Sequence, residues 1–188
     1  LVEETVASLS YGHPCTLVGS CSGAAIALHA AASQPQLVDR MVMLEPFAFL
    51  PSYLSLFLMP VVGPVAYWSS FGNPIGRWIT NEALSDHRRG ETDMTVSFAS
   101  GSAKVPYRYL EIFDEMDPPD RFSEIDVPKR LVVGEHTFGA VRESVDIWQQ
   151  LWKEAELVEL ESVGHLIIQE APEAVADAVF DTNYAKHA

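Results

Sequence analysis

The segment TLVGSCSGAAIALHA, residues 16–30, constrains the fold more than any other part of the chain. Its apolar beginning is typical of a short buried strand, and its Ala-rich end is typical of a helix. The small residues GSCSG at positions 19–23 separate the two. We expect a sharp turn there, in which the two glycines relieve crowding and the Cys21 side chain is held exposed above a sheet.

The elements predicted around this turn alternate between helices and strands. The spacing of apolar residues predicts a helix over residues 1–9, a strand over residues 15–19, a helix over residues 22–33 and a strand around residues 40–44. This order predicts an α/β fold with a mostly parallel sheet and helices on both faces.

The alternation stops in residues 46–118. This segment holds most of the aromatic residues and many prolines, and none of it alternates as a strand does. Short helices are predicted there over residues 53–58, 65–71, 76–83, 94–100 and 105–116. We interpret the segment as a helical cap inserted into a single core, which comprises residues 1–45 and 119–188.

The α/β pattern returns after the inserted segment. Strands are predicted over residues 129–133 and 156–160, and helices over residues 142–153 and 172–180. A Gly-His pair that ends at His165 follows the last strand. A histidine at that place offers a general base for chemistry at the sheet edge.

The bulk composition indicates a globular protein with an acidic surface. The 188 residues are 48% apolar and 20% charged, which is enough for a sizeable core. The formal net charge of −14 repels phosphate backbones, so we expect no nucleic-acid partner. The two cysteines, Cys15 and Cys21, are too few for a disulfide scaffold, which favours a reducing, cytoplasmic setting.

Two further patterns bear on targeting and cofactors. The start of the sequence lacks a basic segment followed by an apolar one, so we expect no signal peptide. Residues 47–66 raise the question of a membrane span, but their prolines favour a hydrophobic lid instead. No Cys/His cluster has metal-ligand spacing, and no Lys follows the Gly-rich turn as in a phosphate loop, so we expect neither a metal nor an organic cofactor.

A cysteine at such a turn has two interpretations. The start of the following helix presents backbone N–H groups and a positive dipole end, which favour a thiolate and stabilise an oxyanion. On this interpretation Cys21 is a nucleophile. Alternatively, the motif is a tight turn around a small buried thiol. The strand before the turn, the helix after it and the later Gly-His pair favour the nucleophile.

Three stretches of the chain resemble the α/β-hydrolase superfamily. Residues 16–46 are similar to its nucleophile-elbow segment, residues 127–137 to its next-to-last strand, and residues 155–181 to its histidine loop and final helix. The resemblance implies the α/β-hydrolase fold with an inserted helical cap, of which this chain is the C-terminal portion. The superfamily usually has serine at the apex, whereas the Gly-x-Cys-x-Gly box here resembles that of dienelactone hydrolases and polyhydroxyalkanoate synthases.

The resemblance also implies a role for each candidate site residue. Cys21 is the nucleophile, His165 is the general base, and the backbone N–H of Ser22 is a donor to the oxyanion. The acid usually follows the next-to-last strand in a Gly-x-x-Asp pattern. Here that position holds Thr137, which carries no charge.

The superfamily has a second acid position, after the strand that follows the elbow helix, where some haloalkane dehalogenases carry Glu. In this chain that residue is Glu45, at the C-terminal end of a predicted parallel strand, where catalytic groups collect. Glu135 as a substitute acid, and a Cys-His dyad without an acid, are the alternatives. Dehalogenase activity does not follow from the likeness because it requires an Asp nucleophile.

The superfamily's earlier strands, and the loop that supplies a second oxyanion donor, have no counterpart in this sequence. A sheet without those strands exposes an unpaired edge. Three explanations stay open, namely a fragment, a processed form, or a second chain that completes the sheet. A homodimer is a further arrangement that the sequence leaves open.

Three functions fit these observations. The first is hydrolysis of an ester, lactone or thioester through a Cys21 acyl-enzyme, with a small apolar acyl substrate beneath the aromatic cap. The second is acyl transfer by the same nucleophile to an acceptor other than water. The third is a non-catalytic relative that binds a small ligand or a partner protein, for which a threonine at the usual acid position is suitable.

Overall fold

Four parallel strands form the sheet in this computed structural model, which describes residues 2–99 and 104–180. They lie side by side in chain order. All three neighbouring pairs are parallel, so the predicted α/β class with a parallel sheet is confirmed. The strands are β1 (Cys15–Ser20), β2 (Val38–Leu44), β3 (Lys129–Gly134) and β4 (Glu156–Leu160).

Helices precede the first strand, occupy the connections between the strands and follow the last strand. In chain order they are α1 (Val2–Leu9), α2 (Ser22–Ser33), α3 (Ser52–Ser55), α4 (Val62–Phe71), α5 (Pro74–Ala83), α6 (Val96–Ala99), α7 (Lys104–Asp114), α8 (Gly139–Leu151), α9 (Ile167–Glu170) and α10 (Pro172–Phe180). Short 3₁₀ turns lie at Pro35–Leu37, Leu56–Leu58, Ser85–His87 and Pro119–Phe122. Leu1 and Ser100 of the predicted helices, and residues 181–188 of the predicted core, lie outside the described residues.

The connection from β2 to β3, residues 45–128, is called here the helical insert. Its described residues form helices α3 to α7 and loops, as the lack of alternation predicts. The side chain of Asn73 accepts a hydrogen bond from the Gly76 amide at 2.8 Å, and Pro74 takes the first helical position, which explains why α5 begins there. The division of the chain into units at residues 46 and 118 stays a prediction.

The two central strands are buried on both faces along most of their length, which explains the continuous apolar runs at residues 41–44 of β2 and 131–133 of β3. Met41 and Met43 of β2 point to the face covered by α2 and α8, where Trp148 is fully buried. Val42 and Leu44 point to the opposite face, where α9 and α10 pack. The alternation of β2 side chains between two cores fixes the strand register, because a shift by one residue would exchange the two sets.

The strand β1 pairs on one side only among the described residues, through parallel hydrogen bonding to β2. Val18, in the middle of β1, is 46% exposed. This edge is where the sequence predicts an unpaired strand.

No single helix within the described ranges is long and apolar enough to cross a membrane. The segments Ser52–Leu58 and Val62–Phe71 have the length and apolar composition of a membrane span only when they are taken together, and they are bent by 111° relative to each other.

Candidate active site

The turn between β1 and α2 has the geometry that the glycine-flanked cysteine predicts. Cys21 is half-buried, with φ 52° and ψ −121°, a backbone conformation that L residues rarely adopt. Its amide donates to the Leu44 carbonyl at 2.8 Å, and its carbonyl accepts from the Ala24 amide at 3.0 Å. These hydrogen bonds hold a strained residue directly after the carboxyl end of β1, and strained residues are common at functional sites.

Only the first of the two flanking glycines relieves crowding. A Cβ on Gly19 would lie 2.6 Å from the Cα of Ala24, which is too close for any side chain. A Cβ on Gly23 would meet no described atom within 4 Å. The expectation that both glycines are sterically required is therefore wrong for Gly23 in this arrangement.

Glu45 lies directly after β2 and is buried, with 1% of its surface exposed. Its Oε1 accepts a hydrogen bond from the Gly134 amide at 2.6 Å. Its Oε2 accepts one from the Thr137 hydroxyl and lies 2.8 Å from His165 Nδ1. A buried carboxylate without such partners would be costly, so this network explains how a glutamate is tolerated in the core.

The structure thus brings the predicted base and the favoured predicted acid together. The His165 side chain is 10% exposed and lies in the loop between β4 and α9. Its ring packs against Phe138 at 4.6 Å and Phe47 at 5.9 Å between centroids. Because Nδ1 faces Glu45, the other ring nitrogen, Nε2, is the one available to Cys21.

The alternative acid, Glu135, is engaged elsewhere. Its carboxylate Oε2 accepts a hydrogen bond from the Ser162 amide at 2.7 Å. Ser162 has φ 57°, so the carboxylate supports a tight turn in the loop that leads to His165. The substitution of Glu135 for Glu45 is therefore not what the structure shows, and neither is a histidine without a neighbouring carboxylate.

The electrostatics of His165 follow from these contacts. Burial by itself lowers the pKa of His165, but hydrogen bonds to Cys21 and Glu45, and the charges of both groups, raise it to about 9. The contacts with Cys21 and Glu45 therefore favour the imidazolium form of His165 over the neutral ring. Burial, and then the charge of Cys21, raise the pKa of Tyr53 in α3.

Ser22 is the first residue of α2 and follows Cys21 directly. The first N–H groups of a helix have no partner within the helix, and the helix dipole adds positive potential at this end. The Ser22 amide is therefore suited to stabilise a negative oxygen that forms next to Cys21.

The inserted helices contact the histidine loop through the backbone. The His165 amide donates to the carbonyl of His87 at 2.9 Å. A Cβ on Gly164 would lie 2.3 Å from that carbonyl oxygen, so only glycine allows this approach. The Glu170 carboxylate accepts from the Gly164 amide at 2.6 Å. No sequence pattern indicates these contacts apart from the glycine that precedes His165.

A cleft of about 170 Å³ begins beside Ser22, between α2 and α7. Its lining is mostly apolar and consists of Ser22, Ala25, Ile26, His29, Tyr109, Ile112, Phe113, Glu115 and Met116. Such a lining suits an apolar group of a small molecule. Within residues 2–99 and 104–180, no group of three or more His, Cys, Asp or Glu side chains is placed to hold a metal ion.

Comparison with known proteins agrees with the fold. A family model described as the alpha/beta hydrolase family matches residues 1–178. No curated protein matches the sequence significantly.

Several solved structures share the fold. An alpha/beta hydrolase enzyme, MGS-M2, from a Medee basin deep-sea metagenome library is 19% identical, with a TM-score of 0.69 over 99% of this chain and 71% of its own. The epoxide hydrolase CorEH is 20% identical, with a TM-score of 0.61 over 96% of this chain and 72% of its own. Est816, an N-acyl homoserine lactone degrading enzyme, is 20% identical, with a TM-score of 0.61 over 94% of this chain and 70% of its own. At these identities the likeness concerns the fold alone.

Proposed function

Because the chain belongs to the alpha/beta hydrolase family, we propose that it hydrolyses an ester, lactone or thioester with an apolar acyl part through a Cys21 acyl-enzyme. The family assignment makes the chain a hydrolase. The cysteine nucleophile and the acyl substrate are the proposal. The observation that supports it best is the 2.8 Å contact between His165 Nδ1 and the buried Glu45 carboxylate.

Acylation begins with the Cys21 thiolate. Its sulfur attacks the substrate carbonyl carbon, and the electron pair of the C=O bond moves to oxygen, which accepts a hydrogen bond from the Ser22 amide. His165 then gives its Nε2 proton to the leaving oxygen or sulfur as the bond to the acyl carbon breaks. The product is a thioester on Cys21 and a neutral His165.

Deacylation restores the starting state. The neutral His165 takes a proton from water, and the resulting hydroxide attacks the thioester carbon. The acid is released and Cys21 leaves as a thiolate, paired again with the imidazolium. Glu45 does not exchange a proton in either step. Its charge holds the imidazole in the tautomer that keeps Nε2 toward the sulfur.

An acyl substrate is supported by the cleft beside Ser22. An apolar acyl chain suits the mostly apolar lining of this cleft, and the cleft begins at Ser22, the residue that follows Cys21. The likeness to Est816, which degrades an acylated lactone, is in keeping with this class of bond.

The test is steady-state hydrolysis of p-nitrophenyl esters of increasing acyl length, with lactones and acyl thioesters as a second panel. Cys15 gives a matched control, because its thiol donates to the Leu37 carbonyl at 3.4 Å at the far end of β1, and burial, with the charge of Asp39, raises its pKa. We expect Cys21→Ala to abolish turnover and Cys15→Ala to keep it. Equal activity of Cys21→Ala and the wild type would refute the proposal. Product that forms only when an alcohol or thiol is added would identify an acyltransferase.

A further inference from the structure

We propose that Thr137 is a positioning residue of the site, whose hydroxyl fixes the Glu45 carboxylate against His165. This inference rests on the proposed function for its catalytic meaning. Thr137 occupies the position where the sequence predicts that a charged acid is missing. Its side chain is buried, with 5% exposed, and it hydrogen bonds to the same Oε2 that contacts His165.

The donor and acceptor roles in this cluster are determined by chemistry. An ionised carboxylate only accepts hydrogen bonds, so the single hydroxyl proton of Thr137 points to Glu45. His165 Nδ1–H points to the same oxygen at 2.8 Å, and the Gly134 amide points to the other oxygen at 2.6 Å. The Thr137 oxygen lies 3.4 Å from His165 Nδ1, at the edge of hydrogen-bond distance, because both groups converge on one acceptor.

The turn that carries Thr137 is built to hold the carboxylate. The Thr137 amide donates to the Gly134 carbonyl at 3.1 Å, which closes a tight turn after β3. The two ends of this turn supply two of the three donors to Glu45, one from the Gly134 backbone and one from the Thr137 side chain. A carboxylate with a donor on each oxygen cannot rotate freely, so the turn sets the direction in which Oε2 faces the imidazole.

The same turn packs against the histidine loop. A Cβ on Gly134 would lie 2.2 Å from the Gly164 carbonyl oxygen, and the amide of His136 donates to the Val163 carbonyl at 2.8 Å. The turn after β3 therefore contacts both partners, the carboxylate from β2 and the loop that carries the histidine. A hydroxyl in this turn acts on their relative orientation.

Three variants test the role of the hydroxyl. Thr137→Val keeps the shape of the side chain and removes the donor, whereas Thr137→Ser keeps the donor and removes a methyl group. Glu45→Gln is the reference for loss of the carboxylate. One readout is kcat and KM for p-nitrophenyl ester hydrolysis, and the other is the pH at which the His165 imidazole titrates in NMR spectra.

We expect Thr137→Val to lower kcat about tenfold, as for loss of a hydrogen bond to a charged group, with little change in KM. The His165 titration should move from about 9 toward the ordinary histidine range, because a misdirected Glu45 raises the pKa of His165 less. Thr137→Ser should restore most of both quantities. If Thr137 acts through packing alone, Thr137→Val should have the higher kcat of the two, because valine fills the space better than serine.

The two proposals fail in different ways. If Thr137→Val matches the wild type in both kcat and His165 titration, the positioning role is refuted while the Cys21 mechanism stands. If kcat falls as far in Thr137→Ser as in Thr137→Val, the loss of activity is not due to the hydroxyl, and the positioning role is again refuted. If no ester is hydrolysed through Cys21, the proposed function fails, but the imidazole titration of the three variants still decides the role of Thr137.

Discussion

Replacement of Glu45 by Gln tests the charge that lies behind His165. The Glu45 side chain is 1% exposed and accepts hydrogen bonds from the Gly134 amide, the Thr137 hydroxyl and His165 Nδ1. Gln has the same size but no charge. The NH₂ group of Gln replaces one of the two carboxylate oxygens, and each of these oxygens accepts from at least one donor. The amide protons therefore face a donor in either orientation. The substitution therefore removes the charge without creating a cavity.

The size of the effect follows from the hydrogen bond that is lost. A hydrogen bond to a charged group contributes about 1.5–3 kcal/mol, and each 1.36 kcal/mol changes a rate tenfold. This gives a decrease in kcat of about 10- to 150-fold. We expect the upper end, about 10²-fold, because the amide protons oppose a donor and disturb the orientation of His165 as well. KM should change little, since Glu45 does not face the cleft.

The assay is ester hydrolysis at pH 7, with thermal unfolding to show that the variant is folded. Glu135→Gln is the matched control, because Glu135 has the same chemistry and lies in the same region but contacts the Ser162 amide. We expect Glu135→Gln to keep kcat. An unchanged kcat in Glu45→Gln would show that His165 does not depend on the Glu45 charge, and a loss of kcat confined to Glu135→Gln would make Glu135 the acid.

Three other predictions concern the same site. The pKa of His165 is raised from about 6.5 in the unfolded chain to about 9 in the folded protein. Its contribution to the free energy of unfolding is therefore full below pH 6.5 and is lost as the pH rises through 9. Urea unfolding at a series of pH values across this window measures the loss. Gly19→Ala should lower the free energy of unfolding by about 1–3 kcal/mol or more, since the new Cβ would lie 2.6 Å from the Ala24 Cα. In Glu45→Gln, the added change Thr137→Asp should recover part of the lost kcat, because the Thr137 oxygen already lies 3.4 Å from His165 Nδ1; no recovery would show that this turn cannot present an acid.

The fold could be predicted from local patterns because its two central strands, β2 and β3, are buried on both faces along most of their length. Continuous apolar runs predict β3 and the end of β2, and the small residues at positions 19–23 predict the turn at Cys21. β2 begins at Val38, two residues before the predicted strand, because the charged Asp39 interrupts the apolar pattern at its start. Arg40 is accommodated by a hydrogen bond to the Val179 carbonyl of α10, a contact that no local pattern announces.

The site was partly predictable for the same reason. A glutamate directly after an apolar strand requires partners, which indicated Glu45, and His165 follows the last strand. The role of Thr137 was not predictable, because its hydroxyl meets a carboxylate 92 positions away in the chain. From the sequence, the uncharged residue at the usual acid position indicates only that a carboxylate is missing there. The structure shows that its hydroxyl donates a hydrogen bond to the Glu45 carboxylate.

The central claim is that Cys21 carries the acyl group, and intact mass spectrometry tests it most directly. The protein is mixed briefly with a p-nitrophenyl ester, quenched in acid and weighed, then digested to locate the adduct. The account predicts one added acyl mass on the peptide that contains Cys21, absent in Cys21→Ala and present in Cys15→Ala. An adduct on Cys15 or on another residue, or rapid ester hydrolysis by Cys21→Ala, would contradict it.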